Sequence, residues 1–390
     1  MQVTLRENIC RFAQMLQSEL FPKLEESGNE LSAEHKRIAA ALAMLPLERF
    51  IPFSRGWMGR PAKDRVAMAR AFVAKAVLNL GTTRQLIERL RLDGSLLGIC
   101  GWSQKEELPH ESTFSRAFAG FAEAQLGQFT HETLIRETQA GRVIGHIARD
   151  STAIHARERF PETPKQKRAK EQPKKSPSGK PSLKGRTYRK LSRNQKRKEQ
   201  TAKTATAQQK PLSVEQILRK IPQQCSIGAK AGMQGTSYWR GYKLHLDVAD
   251  GQIPVTALLT SANVHDARLA IPLTKLTTAR VTYLYELMDS AYDATAIREH
   301  SAELGHVAII PEKKRSSGKT QLPHFQKKKP EMEPAQAERF RNRTMVERVY
   351  ARLKDEFGIS KVRVRGPAKV MAHLMFAVLA LTADQLLRLA

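Results

Sequence analysis

Cysteine is scarce in this chain. There are three in 390 residues, Cys10, Cys100 and Cys225, far apart and never as a CxxC pair. That excludes a disulfide framework and a zinc ribbon, and it fits a reducing compartment. The first residues, MQVTLREN, carry no apolar signal core. The longest apolar stretch runs from Leu374 to Ala383, which is too short to span a bilayer and predicts a buried helix. There is no internal repeat, no GxxxxGK[ST] loop and no HExxH, so a nucleotide-driven motor and a zinc protease are both excluded. Acidic residues are also in short supply, with 38 Asp and Glu against 66 Lys and Arg.

That imbalance leaves a net charge of +28 and a pI near 10.2, which calls for a polyanionic partner, DNA or RNA. With 41% hydrophobic residues, 390 positions suffice for two or three domains with a substantial core. The charge is concentrated. Residues 161–210 hold 17 Lys and Arg against 3 Asp and Glu, half the excess of the whole chain. Leu183, Tyr188 and Leu191 are the only large apolar groups there, so the segment cannot bury enough surface to fold alone. It reads as a basic arm that neutralises DNA phosphates, within a disordered insertion spanning 161–225.

Residues 1–140 read as an all-α domain. Ser32 is a candidate cap for a helix carrying Ile38, Leu42 and Leu45, and Asp64 for one that ends at Gly81. Thr82 and Gln85 form a capping-box pattern, and Ser112 is a candidate cap before Phe114, Phe118 and Phe121. Helix, tight glycine turn, helix suits a DNA-binding module, and equally a bundle used for packing or dimerisation. From Arg142 the texture changes. A short strand predicted from Val143 ends at Asp150, Ser151 and Thr152. Alternation over Tyr242–Val248 and Ile253–Leu259, with Gly251 between, predicts an antiparallel hairpin. A helix over His265–Thr277, a strand over Val281–Met288, a helix over Ala294–Leu304 and a strand over His306–Ile310 follow. Two helices, about Glu338–Phe357 and Ala368–Leu389, close the chain.

Three carboxylates stand out in that order. Asp150 ends the first strand, Asp289 ends the fourth, which should lie beside it, and Glu347 sits in the first of the two closing helices. Two-metal phosphodiester cleavage needs such a cluster of oxygen ligands. At 100° per residue, Phe340, Arg343, Glu347 and Lys354 share one narrow face of that helix, with Val346, Val349, Leu353 and Phe357 in an adjacent apolar stripe. Asp247, Asp266 and Asp293 are rival carboxylates. Asn263 and His265 read as helix caps.

The segments RDST at Asp150, GYKLHLDVADGQIP with TSANVHDA, MDSAYD at Asp289, and RNRTMVERVYARLKDEFG resemble the bacterial insertion-sequence DDE transposases. Arg343, Glu347 and Lys354 match the group's Y-x2-R-x3-E-x6-K pattern, and Phe340 replaces its tyrosine, removing a hydroxyl. The resemblance implies a ribonuclease H-like mixed-sheet catalytic core over 141–390, α/β in class and preceded by the helical domain. It implies metal ligation and catalysis by Asp150, Asp289 and Glu347 with two Mg²⁺ or Mn²⁺ ions, and DNA contacts from Arg343, Lys354 and Phe340. The expected activity is cleavage at transposon ends and strand transfer of the freed 3′-hydroxyl. The expected partners are double-stranded DNA, as terminal repeats and target, and a second copy of the chain in a synaptic homodimer. The expected location is the bacterial cytoplasm, on the nucleoid when bound to DNA, with no membrane involved. A nuclease without strand transfer and a domesticated, non-catalytic DNA-binding protein are the alternatives.

Overall fold

The computed structural model describes residues 4–22, 30–51, 63–158, 205–232, 235–312 and 332–389. Up to Thr138 its regular elements are helical: α1 (Leu5–Met15), α2 (Ala33–Met44), α3 (Arg65–Val77), α4 (Thr83–Leu92), α5 (Gly94–Cys100), α6 (Glu111–Glu123) and α7 (Leu126–Thr138). The caps explain most of the starts. The Ser32 hydroxyl accepts from the His35 amide, the Asp64 carboxylate from the Val66 and Ala67 amides, and the Thr82 hydroxyl from the Gln85 amide. Ser112 is not a cap. His110 holds the extended N-cap conformation, its ring nitrogen accepts from the Ser112 amide, and Ser112 lies inside the first turn of α6. Nor does α3 reach Gly81. Asn79 takes a left-handed conformation (φ 52°) and closes the helix earlier.

The remainder is α/β with a mixed sheet. Its strands are β1 (Val143–His155), β2 (Ser226–Gly232), β3 (Gly235–Ala249), β4 (Ile253–Ser261), β5 (Thr282–Met288) and β6 (Val307–Ile309), preceded or separated by α8 (Val214–Lys220), α9 (Ala270–Thr278) and α10 (Thr295–Glu303). The path runs β2-β3-β1-β5-β6, and β4 pairs with β3 as the second arm of the expected hairpin, Leu244 opposite Leu259. Gly251 makes the intervening turn at φ 75°, where only glycine is free of strain. β1 and β5 are parallel neighbours, as required for the two aspartates to meet. The last elements are α11 (Pro334–Phe340), α12 (Thr344–Asp355) and α13 (Pro367–Leu389).

Two further expectations are corrected. β1 does not stop at Asp150. Pairing with β3 continues through Asp150 opposite Leu246 to His155 opposite Gly241, so β3 holds the strand extended well past the carboxylate. Nor is the insertion unstructured throughout 161–225. Ser213 caps α8, Ile217 and Ile221 are buried against Leu269, Ile271 and Leu273, and Lys275 Nζ donates to the Lys210 and Leu212 carbonyls. Four apolar side chains within ten residues, Leu212, Ile217, Leu218 and Ile221, give this stretch the apolar surface that it packs against α9. Residues 159–204, and with them nearly all of the basic arm, lie outside the described residues.

The two faces of the sheet bury different things. Ala148, Leu244, Leu246, Val248 and Leu287 point to one face and join a single apolar cluster with α12, α13 and the amino-terminal helices. α13 is long and apolar enough to cross a membrane, but 83% of its most apolar window is buried in this cluster, between α2, α3, α6, α7 and β4. On the opposite face, beneath α9 and α10, lies a fully buried ionic network. Arg149 donates to both Asp247 oxygens at 2.7 Å and to Glu286 at 3.3 Å. Thr277 serves Asp247, while Thr274, Tyr283 and Ser301 serve Glu286. Each buried charge is thus multiply hydrogen-bonded, the condition for tolerating it in a core.

Candidate active site

The register of β1 on β5 builds the centre of the site. Parallel pairing ends with Arg149 beside Met288. Asp150 and Asp289 are the next residues on the two strands, so they come side by side where β5 stops and a gap opens in the sheet. Asp289 turns the chain there, its carboxylate accepting from the Ala291 amide at 2.9 Å at the start of the Ser290–Tyr292 3₁₀ turn. Asp150 accepts from the Ser151 amide at 2.7 Å. Burial, with the negative charges of Asp289 and Asp266, pushes the Asp150 carboxyl up to about 6, against the opposing pull of the Ser151 amide and Arg343. Burial and Asp266 likewise push Asp289 up.

α12 covers this centre from the apolar face. The Tyr350 hydroxyl lies 2.8 Å from the Asp150 carbonyl and 3.0 Å from the Leu244 carbonyl, anchoring the helix across β1 and β3. Val346, Val349, Leu353 and Phe357 are buried, as the apolar stripe predicts. The long helix expected over 338–357 is broken, however. α11 ends at Phe340, a 3₁₀ turn spans Arg341–Arg343, and α12 begins at Thr344. The shared face inferred by angle therefore holds within α12 only, and Phe340 and Arg343 reach the site through the turn. Arg343 sits between two acids. One terminal nitrogen lies 3.4 Å from Asp150 and the other pairs with Glu347. Its guanidinium also lies over the Phe340 ring, 5.8 Å from the centroid. Lys354 is half-buried, and burial lowers its pKa although Asp150 is close enough to oppose that.

The structure thus brings Asp150 and Asp289 together and ties Glu347 to them through Arg343. It does not place all three in one ligand set. Glu347 is 51% exposed, and among the described residues no three His, Cys, Asp or Glu side chains converge closely enough to hold a metal ion. The donor chemistry nevertheless suits a divalent cation. Two desolvated oxygen anions repel each other, and the single charge of Arg343 serves both.

The rival carboxylates separate cleanly. Asp247 is committed to Arg149 on the far face. Asp293 is half-buried, with Arg298 at 3.5 Å. Asp266 is the one that comes close. Its Oδ1 accepts from Ser151 Oγ and Lys243 Nζ, each at 2.9 Å, and burial is outweighed by Lys243, so its carboxyl stays below the usual range. His245 is fully buried beside it and is pushed down to about 4, which keeps the ring neutral. His265 caps the 3₁₀ turn at Asp266, as expected, whereas Asn263 hydrogen-bonds Ser226 instead of capping.

Sequence reasoning missed Lys243, Ser151, Tyr292 and Tyr350. Lys243 had a signal, because it alternates with His245 on the polar side of β3. Tyr292 and Tyr350 had none, since a tyrosine that buries its ring reads as core. Yet the buried Tyr292 hydroxyl has no hydrogen-bond partner among the described residues and feels Asp266, Asp150 and Asp289, all of which oppose its ionisation.

Residues 144–383, more than half of the chain, match the family model described as Transposase DDE domain. The match runs from β1 into α13 and includes Asp150, Asp289 and Glu347. Residues 26–119 match a second model, Transposase domain (DUF772), which spans α2 to α5 and runs into α6. No curated protein and no solved structure matches the chain.

Proposed function

The chain belongs to the Transposase DDE domain family, and from that premise we propose that it is a DNA transposase that cuts at the ends of its element and joins the freed ends to target DNA. The core is ribonuclease H-like, and the catalytic acids are Asp150, Asp289 and Glu347. The observation that carries this reading is the pairing of Asp150 with Asp289 at the end of β5, bridged by Arg343 to Glu347.

Asp150, Asp289 and Glu347 would hold two divalent ions, Mg²⁺ or Mn²⁺. Ions bound there would supply activation of water and neutralisation of the charge that grows on the leaving oxygen. Water attacks phosphorus at the element end, the bond to the 3′-oxygen breaks, and a 3′-hydroxyl remains. That hydroxyl attacks a target phosphodiester in turn: a new bond from phosphorus to the element's 3′-oxygen forms as the target's own bond from phosphorus to its 3′-oxygen breaks, leaving a 3′-hydroxyl on the target strand. Arg343 and Lys354 hold phosphates beside the scissile bond. The Phe340 ring stacks on a sugar or base, a contact that needs no hydroxyl. Tyr350 fixes α12, and so Glu347, against β1. Asp266, paired with Lys243, accepts the Ser151 hydroxyl proton and so fixes that side chain beside Asp150. The partners are double-stranded DNA and a second copy of the chain, which pairs two element ends.

The test is cleavage of labelled DNA taken from the flanks of the gene that encodes the chain, with Mg²⁺ or Mn²⁺, comparing wild type with Glu347→Gln. Metal-dependent cuts at defined ends, lost in the variant, support the reading. Cuts that ignore position point to a general nuclease, and DNA binding without cutting by either protein removes the catalytic proposal.

A further inference from the structure

Roughly 15 Å along α12 from Glu347, a cavity of about 260 Å³ opens between the end of α3, the start of α4 and the segment that follows α12. Phe72, Phe118 and Phe376 line its inner wall. Lys75 lines it too, and this lysine is 9% exposed, on a helix whose neighbouring residues are all core. Among the described residues nothing compensates its charge. Burial and Lys361 both disfavour the ammonium, and they bring it down to about 8. An unpaired, desolvated cation costs stability unless an anion joins it.

The rim points the same way. Lys361 and Arg363 are exposed at the cavity, Lys361 with one hydrogen bond to the Asn79 carbonyl at 3.0 Å. Glu111, the acid on the rim, is engaged by Arg84 at 3.4 Å. The ten-residue helix α4 begins here. Its cap already uses the amides of Gly81, Thr82 and Gln85, so the next amide, on Thr83, and the positive end of the helix are what a bound group would meet. The neighbouring His373 is partly buried, with Nε2 at 3.3 Å from the Gly358 carbonyl. Burial and Lys75 push it down to about 4, so it adds no charge of its own.

We propose that this cavity binds a nucleoside phosphate, with the phosphate against Lys75, Lys361, Arg363 and the start of α4, and the planar base against the phenylalanine wall. The volume lies just below the usual range of small-molecule sites, which suits one nucleotide and little more. The nucleotide is either free or a single unit of a DNA strand, and both present the same chemistry. The inference does not rest on the roles of Asp150, Asp289 and Glu347.

Calorimetric titration of the full chain at raised salt, which suppresses attraction to the overall positive charge, tests it. The probes are dAMP, inorganic phosphate and deoxyadenosine. dAMP is expected to bind more tightly than either fragment. Lys75→Met, which removes a desolvated charge and should not harm folding, is expected to weaken dAMP at least tenfold, and Lys361→Ser with Arg363→Ser to weaken it comparably. Asp150→Asn should leave dAMP binding unchanged, and loss of binding there would move the ligand to the carboxylate site and overturn the proposal. Equal affinity in wild type and both pocket variants would also overturn it, as would phosphate binding as tightly as dAMP. Displacement of dAMP by a short single-stranded oligonucleotide assigns the site to DNA. Without displacement the ligand is a free nucleotide, and either result supports the shared chemistry.

Discussion

Replacing Asp150 by Asn should make the metal-free protein more stable at neutral pH. The folded carboxyl sits near 6 because burial and two neighbouring acids disfavour its charge, while its ordinary value is 3.8. The fold therefore binds a proton that the unfolded chain has already released between those values. Below about pH 4 both states are protonated and the site costs nothing. As pH rises through 6 the penalty reaches its full size and stays there. About two pKa units correspond to at most roughly 3 kcal/mol. Asparagine gives up the ion pair with Arg343, and the site keeps some solvent; together these reduce the gain to about 1–2 kcal/mol, or a Tm rise of roughly 1–2 °C for a protein of this size. The asparagine oxygen can still accept from the Ser151 amide, so local geometry survives. Thermal unfolding in EDTA at pH 7.5 and at pH 4 reads the effect. With Mg²⁺ or Mn²⁺ added at pH 7.5, wild type should recover the difference and the variant should not. A destabilised variant at pH 7.5, or a gain of equal size at pH 4, would refute the reasoning.

Three further outcomes follow from the architecture. Arg149→Met leaves Asp247 and Glu286 buried without their cation and should cost about 3–5 kcal/mol in urea unfolding; an unchanged midpoint would show that the network carries no such charge. Gly241→Ala should destabilise the β1–β3 pairing, because φ is 152° and a Cβ there would stand 1.9 Å from the Ile154 carbonyl oxygen. A variant that expresses and melts like wild type would argue against this register. Deleting residues 161–204 should weaken non-specific DNA binding and flatten its dependence on salt, since each phosphate contact adds to the slope. The same slope in the truncated protein would remove the basic segment from the phosphate contacts.

Much of the site was legible because its signals are local. Asp289 follows a strand and caps a turn, the stripe of Val346, Val349 and Leu353 is a property of α12 alone, and the capping boxes at Ser32 and Thr82 depend on three or four residues each. Where reading failed, a distant partner had intervened. β1 continues past Asp150 because β3 pairs with it, and the helix before Glu347 breaks at Arg341–Arg343, where the chain turns in to bring Arg343 to Asp150. The tail of the insertion folds because α9 offers it an apolar seat.

Composition, periodicity and caps are enough to settle the charge and the type of most elements, and with the family resemblance they single out three candidate acids. They suggest that the strands of Asp150 and Asp289 are neighbours, but the register that sets the two acids side by side, and the placing of the rival acids, came from the packed sheet. Asp247, Asp266 and Asp289 are alike as letters. The register of the sheet turns Asp247 under α9 to Arg149, sets Asp266 against Lys243, and leaves Asp289 facing Asp150. A carboxylate's role is fixed by the charges and burial around it, and those come from residues a hundred positions away.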